Sequence, residues 1–161
     1  MKEIQLTQGK VALVDDDLFE FLNQFKWHAL ISRSNTFYAI RHLRIKKKFV
    51  KSILMHRFIM NTDKNLVVDH LNGNTLDNRK SNLRNCTHGE NLRNQKLSIK
   101  NTSGYKGVSW SINKKKWVTQ IQCENKKIFI GYFINPIDAA KAFNEAAIKY
   151  HGQFAKLNKI D

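Results

Sequence analysis

The 161-residue sequence predicts an α+β protein built from two small folded regions, and three observations carry that expectation. Seventeen aromatic residues within a 42% hydrophobic composition are enough for packed cores rather than a disordered chain. Short β-branched and aromatic runs alternate with polar turns through most of the length, the pattern of small antiparallel sheets. One long three- and four-residue periodicity stands near the end, the pattern of a single amphipathic helix.

Taken in order, KVALV reads as a strand and DLFEFLNQF as a short helix, and WHALIS and FYAIRHL read as further strands. The triplet Asp15-Asp16-Asp17 is read as the start of that helix, where carboxylates meet unpaired backbone N–H groups and the positive end of the dipole. A basic strand, KKKFVKSILM, and the short segment HRFIM follow. Val67-Val68-Asp69-His70 reads as a strand end, and five asparagines fall in the fifteen positions that follow. Asn and Gly accept positive φ, and amide side chains bond nearby backbone, so this run predicts an ordered loop. NLRNC gives the returning strand. Thr87 with Glu90 three residues on has the form of a capping box, which predicts a helix starting near His88 and carrying Asn91 in its early turns.

Residues 97–104, LSIKNTSG, read as a linker between a first region, 1–96 (core 54–96), and a second, 105–158. YKGVSWSI, KWVTQIQC and KIFIGYF are three strands separated by the turns NKKK and ENKK. Asn135 as N-cap and Pro136, the only proline, open the final helix, whose apolar set is Ile137, Ala140, Phe143, Ala147 and Tyr150; Gly152 stops it.

Charge narrows the function. The formal net charge is +15, distributed as +1 over residues 1–44, +8 over 45–100 and +6 over 101–161. Such an excess favours a polyanion, because each neutralised phosphate releases condensed counterions. The lysines cluster in turns and strands rather than on one helical face, so a membrane surface is not the expected partner. No apolar run approaches the roughly 20 residues a bilayer requires, and MKEIQLTQGK lacks a secretory h-region. Cys86 and Cys123 have no metal spacing, which reads as free thiols in a cytoplasmic protein.

The strand, amide loop, strand and helix at "DH" (69–70), "NGN" (72–74), "DNRKSNLRN" (77–85) and Asn91 resemble the ββα-metal motif of HNH nucleases, in the subgroup found in phage homing endonucleases. The resemblance implies that Asp69 and Asn91 ligate a divalent cation, Mg2+ or Mn2+, that His70 is the general base, and that Asn82 ties the loop together and orients the histidine. The chemistry agrees with those residue types. A histidine of pKa ~6.5 can activate water near neutral pH. A carboxylate and an amide are hard oxygen ligands that suit magnesium, which keeps waters and takes substrate phosphate. Adjacent strand residues point to opposite faces, so Asp69 and His70 share a site only if the strand end bends. His56 and Arg57 have two readings: one near the cation and one on a phosphate, or both packed with Met55 and Phe58. His28, His42 and His151 are read as structural and His88 as an exposed cap position.

Residues 105–158 resemble the Apetala-type (ethylene-response-factor) DNA-binding domain at YKGV, Trp117, IFIGYF, DAAKAFNEAAIKYHG and AKLN. In that family a three-stranded antiparallel sheet, packed on one helix, lies in the major groove, which is wide enough for a β-ribbon. Period-two alternation assigns Lys106, Ser109, Ser111, Gln120, Gln122, Lys127 and Phe129 to the DNA face, with Lys114, Lys115 and Lys116 in the turn near the backbone. It turns Val108, Trp110, Ile112, Trp117, Thr119, Ile121, Ile128 and Ile130 the other way. The plant domains carry arginines and a tryptophan where serine, glutamine and phenylalanine stand here, so their target sequence does not transfer. The expectation is a metal-dependent endonuclease on double-stranded DNA, with no small-molecule substrate, in a bacterial or phage-infected cytoplasm. A single site in a monomer nicks one strand. The rivals are a non-catalytic DNA-binding regulator and, last, an RNA-binding protein, which would show exposed stacking platforms.

Overall fold

The computed structural model describes residues 1–33, 35–46, 48–94, 97, 101–124 and 126–160. It is a mixed α/β structure of small antiparallel sheets and short helices, in line with the α+β expectation. The chain divides into two compact units, 1–88 and 89–161. Residues 95–96 and 98–100, in the expected helix end and linker, lie outside the described residues.

The first unit opens with β1 (Lys2–Gln5) paired antiparallel to β2 (Val11–Val14), followed by α1 (Asp16–Asn23). A three-stranded sheet of β3 (His28–Ile31), β4 (Phe37–Ile45) and β5 (Lys48–Leu54) leads directly into the short helix α2 (Met55–Ile59). The basic strand and HRFIM are thus one continuous strand-to-helix element. β6 (Val67–His70) and β7 (Leu83–Cys86) form a separate antiparallel pair, joined by the amide loop and a 3-10 turn over Lys80–Asn82. The core gathers Ile4, Ala12, Val14, Leu22, Trp27, Ala39 and Met55 beneath Phe25 and Phe58. Arg41 lies over the Phe25 ring at 3.8 Å, covering the rim of that cluster with a cation–π contact.

Asp15 occupies the N-cap position of α1, but its side chain makes no cap hydrogen bond. Its carboxylate instead accepts from the Lys80 backbone N–H at 2.7 Å, so it fixes the end of the amide loop. Asp16 pairs with the N-terminal ammonium at 2.8 Å.

α3 (His88–Arg93) begins where the capping box predicts, at the last residue of the first unit, and the rest of it belongs to the second. β8 (Val108–Ser111), β9 (Lys116–Cys123) and β10 (Lys126–Phe133) form an antiparallel sheet in the order β10-β9-β8, against which α4 (Pro136–His151) packs. Asn135 caps α4, its Oδ1 accepting from the Ile137 N–H at 2.8 Å. Ile121, Phe143 and Ala147 form one core cluster, and Val108, Ala139 and Ala140 a second with Trp117 and Phe133. Gly107 has φ +75°, and a Cβ there would stand 2.1 Å from the Phe143 ring, so only glycine lets the helix seat this close.

Candidate active site and nucleic-acid face

The amide loop is held by its own side chains. Asn82 joins both ends: its Oδ1 accepts from the Asn72 N–H at 3.0 Å and its Nδ2 donates to the Asp77 carbonyl at 2.8 Å. Its backbone carbonyl accepts from Leu71 N–H at 2.9 Å. Asn72 and Asn74 each bond the backbone two residues on, which is turn chemistry for asparagine.

Asp77 is the residue that sequence reasoning missed. It is 1% exposed, takes two hydrogen bonds from Arg79 at 2.7 and 2.6 Å, and accepts from Asn72 Nδ2 at 2.8 Å. These bonds, led by the Arg79 side chain, hold its carboxyl below the usual range. Beside it the loop joins β2 through Leu13 N–H to Leu76 carbonyl at 2.9 Å and Asn78 N–H to Leu13 carbonyl at 2.8 Å. The DNR tripeptide carried the signal: an aspartate two residues before an arginine, within a loop that has no other acid.

Asp69 and His70 are both buried, at 4% and 5% exposure. β6 stays in register through them, Asp69 opposite Arg84 and His70 opposite Leu83. The strand end shows no register shift, so the expected bend is absent and the two side chains meet different partners, although the Asp69 charge still acts on the His70 ring. Asp69 Oδ2 accepts from Arg84 Nε at 2.9 Å and Nη2 at 2.6 Å, a largely buried ion pair. The Asp69 carboxylate is therefore paired within its own hairpin. The His70 ring faces His56, with centroids 5.1 Å apart and planes at 83°, and Tyr38 lies against both rings at 5.6 and 6.3 Å.

Burial lowers the pKa of His70, against the opposite pull of Asn78, Asp69 and Asp77. His56 is driven down to about 3, by burial first and then by the charges of His70 and Arg57. Its Nδ1 is buried with no hydrogen-bond partner among the described residues. Both rings are neutral near pH 7, the form in which an imidazole can accept a proton.

Arg57 is spent within the fold: it donates to the carbonyls of Leu66 at 2.7 Å, Thr62 at 3.3 Å and Asp63 at 2.9 Å. Asn91 lies on α3, half-buried, in the second unit. Among the described residues no group of three or more His, Cys, Asp or Glu gathers as a metal cluster. A single carboxylate with no cysteine or histidine cluster among the described residues does not fit zinc. It fits a hard cation that takes most of its shell from water and phosphate.

On the sheet of the second unit, β-pairing places Gln120 opposite Phe129, Gln122 opposite Lys127 and Ser111 opposite Lys116, all on one face. Gln120, Gln122, Lys127 and Phe129 are exposed, as are Ser109 and the turn lysines Lys114, Lys115 and Lys116. A bulge between Phe129 and Gly131 resets the alternation and brings Tyr132 onto this face, its ring 5.0 Å from Phe129. Period-two counting stops at the bulge, so Tyr132 was not foreseen. Lys106 behaves differently: its amine donates to the Arg93 carbonyl, and burial lowers its pKa. Trp110 and Ile112, expected inward, are 47% and 81% exposed: Trp110 packs edge to face on Trp117 at 5.1 Å, and Ile112 lies beyond the end of β8 at Ser111.

Residues 61–93 match the family described as HNH endonuclease. The chain is similar to Protein 3.8 of Escherichia phage T7, 39% identical over 64 residues, which are 40% of this chain and 53% of that protein. It is also similar to the uncharacterized HNH endonuclease L560 of Acanthamoeba polyphaga mimivirus, 29% identical over 157 residues, 96% of this chain and 78% of that protein. The phage match thus spans about half of that relative. Among the described residues no helix is long and apolar enough to cross a membrane.

Proposed function

We propose that the chain is a metal-dependent endonuclease of double-stranded DNA, of the phage homing type, acting in the cytoplasm of a bacterial or phage-infected cell. One observation carries the reading: a buried, neutral His70 adjoins Asp69 within the segment that matches the HNH endonuclease family. His70 accepts the proton of the attacking water, and Asn82 holds the loop that follows the histidine in one conformation. Asp69, with Asn91, would hold the cation, which when bound offsets the charge that develops on the phosphate and the leaving oxygen. Arg84 holds the buried Asp69 carboxylate in place through two charged hydrogen bonds.

The three-stranded sheet with its helix is the recognition module in this reading, of the Apetala type, and its exposed glutamines, Lys127 and Phe129 are the groups that meet DNA. Phosphate contacts from Lys114, Lys115 and Lys116 would set register, and the glutamines would read adenine edges. Tethering raises the local concentration of the nuclease at the bound site.

The Asp69–Arg84 pair favours one other reading, a DNA-binding regulator whose β6–β7 hairpin is only structural, because a cross-strand ion pair is a reason to keep the aspartate. Supercoiled DNA separates the two. The nuclease converts it to nicked or linear forms with magnesium or manganese and leaves it intact in chelator. A regulator retards it and cuts it under neither condition.

A further inference from the structure

The second unit holds a cleft of about 740 Å3 that borders the proposed DNA face, sharing Gln120, Gln122 and Lys127 with it, and reaches past it to Leu92, Arg93 and Phe143. β8 pairs with β9 only as far as Val108–Thr119, and one more bond, Gln120 N–H to Gly107 carbonyl at 3.0 Å, closes the ladder. Beyond that point no strand among the described residues pairs with this edge of β9, and the cleft forms between it, α3 and α4. Leu92, Ile121 and Phe143 give it apolar walls, while Arg93, Lys106 and Lys127 bring three cations against a single acid, Glu124.

Arg93 and Lys106 lie together in partly buried space, the Lys106 amine donating to the Arg93 carbonyl, and Lys127 stands exposed on the lining. Lys156 acts on Lys106, adding to the depression that burial imposes. Arg93 and Lys106 together help burial to keep His151 uncharged, while its Nε2 bonds the Gln122 carbonyl at 2.8 Å. Gathering like charges this way opposes folding, and an anion reverses the sign of that term. The size suits a small ligand with a flat apolar part, since such sites run to roughly 300–1,000 Å3.

We infer that this cleft binds a nucleotide of a DNA strand, its phosphate on Arg93, Lys106 and Lys127 and its base against Leu92 and Ile121. The source rests on the DNA reading above; the site chemistry stands without it. Such a site would grip an unpaired nucleotide beside the sheet face, where aromatic and apolar surfaces give sequence-tolerant contacts.

The test uses the full chain in chelator, so that nothing is cut. Backbone amide spectra are recorded while dAMP, deoxyadenosine, inorganic phosphate or a short single-stranded oligonucleotide is added. The inference expects shifts at Gly107, Gln120 and Gln122 with dAMP and with the oligonucleotide, and at least tenfold weaker effects with phosphate or nucleoside alone. Arg93→Gln and Lys106→Gln, each checked for an unchanged thermal transition, should weaken dAMP tenfold or more. Absence of shifts at these amides, or folded variants that bind like the parent, would overturn the site. Phosphate binding as well as dAMP would overturn the base half, and response to dAMP but not to the oligonucleotide would overturn the strand as its source. A chain that cuts DNA yet shows none of these shifts loses only this inference, and one that shows them without cutting loses only the nuclease.

Discussion

The rings of His56 and His70 meet edge to face, with centroids 5.1 Å apart, where α2 and β6 bring two buried imidazoles together beside Tyr38. Neither ring can be charged cheaply there, because both have left water, and a charge on His70 would further oppose one on His56.

That relationship fixes a pH dependence. His56 takes its proton near 6.5 in the unfolded chain and only at about 3 in the folded one. Between those values the unfolded state binds the extra proton, so the stabilisation present above pH 6.5 is lost as pH falls toward 3. The slope from this residue approaches about 1.4 kcal/mol per pH unit. Urea midpoints taken from pH 7 to pH 4 should therefore fall less steeply for His56→Gln than for the parent. Parallel profiles would mean that the ring is protonated in the folded state.

Asp77 makes the opposite kind of prediction. Its carboxyl is held ionised by Arg79 and Asn72, so its contribution is present above the ordinary carboxylate value of 3.8 and disappears as pH falls through the lower folded value. Asp77→Ala removes charged hydrogen bonds worth roughly 1.5–3 kcal/mol each at the buried end, and leaves Asn72 and Arg79 without their acceptor. A loss of about 2–4 kcal/mol at pH 7 is expected from that range. Chemical denaturation measures it; a change below 0.5 kcal/mol would show that the loop does not depend on this aspartate.

Gly107→Ala tests the packing of the second unit. The substitution puts a side chain at positive φ, costing roughly 1–3 kcal/mol, and drives Cβ into Phe143 for about 1–3 kcal/mol more. The thermal transition of the sheet-and-helix unit should drop, with the amide loop little affected.

The recognition role proposed for the sheet gives two separable outcomes. Replacing Lys114, Lys115 and Lys116 with glutamine should weaken binding to all duplexes alike and lower the log–log salt slope by about 3. Replacing Gln120 and Gln122 with alanine should leave that slope unchanged and flatten the preference among sites. Unchanged selectivity would move the reading surface off this face.

Much of this was legible in the chain. The capping box put α3 at His88, Asn135-Pro136 fixed the start of α4, and alternation sorted the sheet faces as far as the β10 bulge. Three features were not, and each depends on contacts far apart in sequence. β1, KEIQ, has one buried residue and no turn signal, and only its pairing with Val11–Val14 makes it a strand. Asp15 reads as a helix cap from its neighbours, but its carboxylate is taken by Lys80, 65 residues on. Asp69 reads as a ready ligand, and only the β6–β7 register reveals Arg84 opposite it. The loop asparagines read correctly as turn formers because their bonds run to residues two positions away.

The central claim is that His70 performs chemistry rather than packing, and the direct measurement is the cleavage rate and the DNA affinity of His70→Ala beside those of the parent. Assays run with magnesium or manganese at neutral pH, on DNA known to carry the bound site. The account predicts that cleavage falls by at least a hundredfold, the scale of a lost general base, while affinity stays within a few-fold. A folded His70→Ala protein that cuts at the parent rate would contradict it.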